Sequence, residues 1–252
     1  MIDIASGHAA IDRYLAETYA QVPGMSSRFA AAICGHVIHR QTELGIGGDI
    51  VEIGTFRGRF FIAMALGLAP GEHALGIDLF DWPDQHVLES LLAHCAAAGL
   101  PRDSFTAWKQ DSRAITADEL RARLHGRDAR FIHVDSEHTH ECLINDLELA
   151  HAVLHPQGVI ALDDMLHPCY PTLITAVLEY LSRHPEMRVL CVIDRESMTA
   201  AAKFLLCRID AAAPYEQDLM ASFARFHFIV GANIAGRLTL VLTPEPAYPD
   251  LG

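Results

Sequence analysis

Short, almost unbroken apolar runs alternate with amphipathic stretches along most of this 252-residue chain, and no other feature limits the fold so strongly. DIVEIG (49–54), ALGID (74–78), FTAWK (105–109), FIHVD (131–135), VIALD (159–163) and RVLCVID (188–194) read as strands. Such near-continuous runs are what parallel strands require when helices cover both faces of a sheet. Between them, residues 84–98 begin after Pro83 and stop at Gly99, the usual start and stop of a helix. Thr116 and Glu119 form a capping-box pattern before LRARL. Residues 139–154 and 171–184 supply two more helices, and LTLVL (238–242) reads as a last strand. The pattern predicts an α/β fold, a doubly wound and mainly parallel seven-stranded sheet with helices on both faces.

Ahead of that pattern, residues 8–20 and 26–43 read as two helices. They suit either a lid or a contact between copies of the chain in a homo-oligomer. With no repeat, low-complexity tract or linker, the expectation is one domain over 1–252. Residues 1–45 would be its helical extension and 46–252 its core.

The formal charge is −13, and the only lysines are Lys109 and Lys203. Without a basic cluster to meet a phosphate backbone, nucleic acid is a poor partner. The six cysteines are dispersed and form no CxxC pair, which suits reduced thiols rather than a disulfide frame. No basic-then-apolar leader stands at the N-terminus, and no apolar run reaches the ~20 residues that cross a bilayer. The expected location is the cytoplasm, without a membrane partner.

Ligands of open α/β sheets bind beyond the carboxyl ends of the strands, so those tips matter most. The first strand runs into Glu52-Ile53-Gly54-Thr55-Phe56-Arg57-Gly58. Glycines there let the backbone approach a ligand, but the ExGxxxG spacing is not the GxGxxG of dinucleotide binders. Asp78 ends the second strand; it suits a ribose acceptor and the cap of a turn about equally. Asp111 and Ser112 follow the third strand, where an adenine amino group could be met. Three such tips in succession suit a nucleoside-bearing cofactor lying across the sheet edge.

VEIGTFRG, LGID and QDS, in that order, resemble the cofactor-binding series of class I S-adenosylmethionine-dependent methyltransferases. The resemblance implies that Glu52, Gly54, Thr55 and Gly58 meet the methionine portion of the cofactor. It gives Asp78 the ribose, and Asp111 and Ser112 the adenine. Asp135, at the fourth tip, completes the expected cofactor contacts.

The fourth tip carries Asp135-Ser136-Glu137-His138 and the fifth Asp163-Asp164. Carboxylates converging on one crevice repel unless a cation or protons intervene, and oxygen-rich sites of this kind suit Mg²⁺. Neighbouring strand residues point to opposite faces, so Asp163 and Asp164 share one ion only if the backbone turns there. The run from Val134 to Asp164 resembles small-molecule and sugar O-methyltransferases of antibiotic pathways, several of which use a divalent metal. By that resemblance Asp135, Asp163 and Asp164 are metal ligands, and His138 or Glu137 removes the acceptor proton. Ser136 replaces the usual glycine, His140 stands where an aromatic is common, and Gln157-Gly158 replaces a double glycine. The resemblance covers residues 45 to 185.

The expected activity is therefore S-adenosylmethionine-dependent O-methylation of a small hydroxylated metabolite, aided by Mg²⁺. Two alternatives stand beside it. One is a noncatalytic binding protein on a methyltransferase-like fold. The other is an oxygenase with a redox metal held by His138 and His140 together with Asp135 or Asp163, although HxH on a starting helix directs the two rings apart. His167 and Tyr170 are candidates to line the acceptor pocket. Trp82 and Trp108 read as packing, with Trp108 near the expected adenine site, and His133 reads as structural.

Overall fold

The computed structural model describes residues 2–197 and 199–245; the last residues of the expected domain, 246–252, lie outside the described residues. Nine strands form one sheet among the described residues, in the order β3-β2-β1-β4-β5-β7-β6-β9-β8. The strands β1 (Asp49–Ile53), β2 (Ala74–Asp78), β3 (Phe105–Lys109), β4 (Ala129–Val134), β5 (Leu154–Met165) and β6 (Met187–Ile193) lie where the apolar runs predict them. β1 to β5 pair in parallel.

The expected count of seven is exceeded by two strands that the apolar pattern does not reveal. β7 (Ala202–Arg208) inserts antiparallel between β5 and β6. β8 (Ala232–Ile234) forms the far edge against β9 (Arg237–Leu242), which itself runs parallel to β6. β7 begins with Ala202 and Lys203, and a lysine inside a buried strand contradicts the ordinary strand signature. It survives there because a partner arrives from a distant part of the chain, as described below.

Eight α-helices flank the sheet among the described residues: α1 (Ala9–Glu17), α2 (Arg28–Glu43), α3 (Arg59–Ala65), α4 (Val87–Ala97), α5 (Ala117–Arg123), α6 (His140–Val153), α7 (Thr172–Arg183) and α8 (Ile209–Ser222). Their starts follow local chemistry. Ser27, Thr116 and Thr139 each accept a backbone N–H at the start of α2, α5 and α6, and Thr116 with Glu119 completes the expected capping box.

Alternate strand residues feed two cores, as the pleat demands. Ile50 and Phe131 face α1 to α4 and α8, in the core built on Phe29, Phe61, Leu91 and Leu219. Val51 and Ile132 face α5, α6 and α7, through Leu120, Leu147 and Val177. The carboxyl ends of β1 to β5 consequently open at one end of the sheet, and the helix turns there are free to carry chemistry.

Candidate active site

Gly54, Asp78, Asp111, Ser112, Asp135, Glu137, His138, Asp163 and Asp164 line one cleft of about 270 Å³ at those carboxyl ends. Glu52, Thr55 and Gly58 are not on its wall. Glu52 and Thr55 are buried beneath the first turn, and Gly58 opens α3 with φ +91°. The glycine requirement at Gly54 has a different origin from the one the motif suggests. At φ +89°, a Cβ there would stand 1.9 Å from the Asp135 carbonyl oxygen, so the glycine admits β4 rather than a ligand.

Asp78 uses both oxygens on the backbone: Phe56 N–H donates to Oδ2 and Phe80 N–H to Oδ1, each at 2.7 Å. Each carboxylate oxygen has a second lone pair, which leaves room for a ribose hydroxyl. Asp111 pairs with Arg113 at 2.8 Å, and that contact holds its carboxyl below the usual range. Phe56 and Trp82 pack against each other on the cleft wall, with ring centroids 5.6 Å apart and planes tilted by 38°. Trp82 is 66 % exposed, so it is a wall of the site rather than core packing. Trp108 packs against the α5 side of the sheet instead, beneath the Arg123 guanidinium, and is not on the cleft wall.

At the fourth and fifth tips the backbone does turn. Asp164 has φ +55°, a strained value for a non-glycine residue of the kind that clusters at functional sites. The turn sends the two aspartates apart. Asp164 lies 2.6 Å from His138 Nε2, and Asp135 lies 3.9 Å from the same atom. That nitrogen is buried between the two carboxylates. Burial opposes the protonated ring, yet the Asp135 and Asp164 carboxylates outweigh it and push His138 up to about 10. Burial, reinforced by Asp163, raises Asp135 to about 7 despite the opposing contact with His138. Tyr170 stacks on His138 at 4.2 Å and His167 on Tyr170 at 4.7 Å, so the ring column fixes the imidazole plane.

Asp163 faces the other way. Its Oδ2 accepts from the Lys203 ammonium and, at 3.0 Å, from Ser26 Oγ; its Oδ1 accepts the Asp164 N–H. Lys203 is fully buried, 3.0 Å from His133 Nε2 and 4.5 Å above the Phe60 ring. His133 Nδ1 in turn lies 2.7 Å from Glu52 Oε1. Burial first, and then the Asp135 charge, keep Glu52 protonated well above the usual range. Burial and the neighbouring Lys203 keep His133 neutral. Glu52 and His133 are thus members of a buried chain that ends on Asp163.

Glu137 reaches outward, 3.4 Å from Arg113, and its side chain is 58 % exposed. His140 pairs with Glu179 of α7 at 3.1 Å, away from His138, so the two rings of HTH do diverge. Sequence reasoning missed Lys203, Ser26, Met25, Arg113, Thr199 and Ala201. Only Lys203 carried a signal, as a lysine set in an apolar run.

Residues 51–165 match the family model for a methyltransferase domain, a span that runs from within β1 to the end of β5 and holds all five tips of the cleft. That match and the fold give the chain the Rossmann-like α/β architecture of methyltransferase domains. The structure resembles the O-methyltransferase TomG from Streptomyces achromogenes, involved in tomaymycin synthesis and solved with S-adenosylmethionine. The TM-score is 0.57 at 18% identity, over 79% of this chain and 89% of that one. It also resembles an O-methyltransferase from Bacillus cereus solved with S-adenosylhomocysteine, with TM-score 0.55 at 14% identity over 79% and 90% of the two chains. CalS11, the TDP-rhamnose 3′-O-methyltransferase of calicheamicin biosynthesis, matches with TM-score 0.55 at 18% identity over 78% and 86%. No curated protein sequence matches the chain.

Proposed function

We propose that this chain is a class I, S-adenosylmethionine-dependent methyltransferase that acts on a hydroxyl group of a small metabolite, with Mg²⁺ held at the tips of β4 and β5. The observation that carries the reading is the convergence, in one cleft, of the Asp78 and Asp111–Ser112 tips with the Asp135–His138–Asp164 group. TomG and CalS11 are both named as O-methyltransferases, which supports the same choice of acceptor atom.

The donor set fits a divalent cation. Ligand atoms of Asp135, His138 and Asp164 lie within 4.8 Å of one another, and the two carboxylates draw positive charge, which the His138 proton supplies here and a divalent cation could supply in its place. In this reading Asp135 and Asp164 hold the ion, while Asp163 stays with Lys203 and Ser26 instead of joining them. Mg²⁺ bound there would polarise the acceptor oxygen and offset the carboxylate charge that keeps His138 protonated. His138 then takes the hydroxyl proton at Nε2, in the orientation that Tyr170 stacking gives it. Glu137, tied to Arg113 and facing solvent, is the weaker candidate for that task. Phe56 and Trp82 offer aromatic faces to the adenine, Asp78 accepts from the ribose, and Met25 with Ala201 contributes apolar wall. Orientation and exclusion of water do most of the work in a direct displacement at the methyl carbon.

The test is calorimetric titration with S-adenosylhomocysteine, with Mg²⁺ and with chelator, followed by methyl transfer from the labelled cofactor to a panel of phenols and sugars. Micromolar binding and label in an ether product support the reading. Cofactor binding with label only on nitrogen or sulfur acceptors would overturn the hydroxyl assignment.

A further inference from the structure

We propose that His151, His184 and Glu186 form a second metal site, for Zn²⁺ or a similar imidazole-preferring ion, at the end of the sheet opposite the cofactor cleft. His151 lies in the last turn of α6, His184 directly follows α7, and Glu186 precedes β6. α6 and α7 therefore run back from the cleft and end beside the start of a strand, where three chain segments meet.

The spacing is that of a tetrahedral ion. Metal–ligand bonds of about 2.0–2.1 Å at a tetrahedral angle place neighbouring donor atoms about 3.4 Å apart. Glu186 Oε1 stands 3.5 Å from His151 Nε2 and 3.4 Å from His184 Nδ1. The two rings lie together, centroids 4.3 Å apart, and the three ligand atoms fall within 4.8 Å of one another.

The remaining ring nitrogens are held by the kind of partner that orients a metal-bound histidine. His184 Nε2 lies 2.9 Å from the Glu148 carboxylate, and His151 Nδ1 lies 2.7 Å from the Tyr180 hydroxyl. Each ring then has one tautomer compatible with both roles: proton outward to its partner, bare nitrogen inward to the ion. Two imidazoles and one carboxylate select Zn²⁺, Co²⁺ or Ni²⁺ over Mg²⁺. Water completes the fourth position. The ion would clip the ends of α6 and α7 to the start of β6, far from any step of methyl transfer.

The test uses the full chain without an affinity tag, stripped with chelator and titrated with Co²⁺ and then Zn²⁺. A tetrahedral nitrogen-rich site gives intense visible Co²⁺ bands, whereas an oxygen-rich site in the cleft gives weak ones. We expect intense bands at one Co²⁺ per chain, displaced by Zn²⁺ and unaffected by excess Mg²⁺. They should vanish in His184→Gln and in His151→Gln, and persist in Asp164→Asn. Glu148→Gln should weaken Zn²⁺ binding about 10-fold or more while leaving the bands in place. S-adenosylhomocysteine affinity unchanged in His184→Gln would show that the variant is folded. Weak bands only, or bands equally strong in both histidine variants, would overturn the proposal.

Discussion

Lys203 is the residue on which most of the site's internal order depends. It is buried, it neutralises Asp163, and it stands between Asp163 and His133. Replacing it with Met leaves a buried carboxylate without its cation, which costs about 3–5 kcal/mol in systems of this kind. We expect Lys203→Met to lower the urea midpoint accordingly, and Lys203→Met/Asp163→Asn to recover part of the loss. A single variant as stable as the parent would refute the pairing. His138 makes a prediction about pH. Its folded value of about 10 lies above its ordinary 6.5, so the native state binds the extra proton and the stabilisation is complete below pH 6.5. It is lost as pH rises toward 10. Urea unfolding of the metal-free chain should therefore show stability falling over that window, and His138→Gln should flatten the slope. In turnover, His138→Ala should lower kcat about 10²–10⁴-fold, read from the rate of label transfer at saturating cofactor.

At the scale of elements, the joint between β1 and β4 is the least forgiving place in the sheet. A methyl group on residue 54 would overlap the Asp135 carbonyl, which leads directly into the His138 tip. Gly54→Ala should therefore displace that tip, and S-adenosylhomocysteine binding by calorimetry should fall at least tenfold. Retained affinity would mean that β4 can move aside without cost. The capping box of α5 lies at the other extreme: its residues are exposed and its hydrogen bonds local. Thr116→Ala should cost about 1 kcal/mol in urea unfolding and leave cofactor affinity unchanged.

For the whole molecule, the N-terminal helices are built into one of the two cores. Phe29, Ile33 and Ile38 of α2 are fully buried, and Arg130 of β4 donates to the Ile38 carbonyl and to Gln41 of α2. Ser26, just ahead of α2, bonds Asp163 in the site itself. Removing residues 1–45 should expose the sheet face beneath α2, giving a chain that binds ANS and lacks near-UV circular dichroism. A truncated chain with native near-UV signal would show that these helices are dispensable for folding. No helix among the described residues is long and apolar enough to cross a membrane.

The first five strands, the α5 capping box and the acidic tips were legible in the sequence because each depends on a local pattern. Apolar runs, capping residues and strand ends are written within a few positions of one another. Tertiary structure alone decided β7, and with it the division of labour between Asp163 and Asp164. A lysine inside an apolar run is intelligible only when Asp163, 40 residues earlier, arrives opposite it across the β5–β7 pair. The roles of Glu52 and Gly54 were hidden in the same way: one is buried against His133, the other makes room for the Asp135 backbone. Contacts between distant segments set the charge and space at those positions, and no neighbouring residue records them.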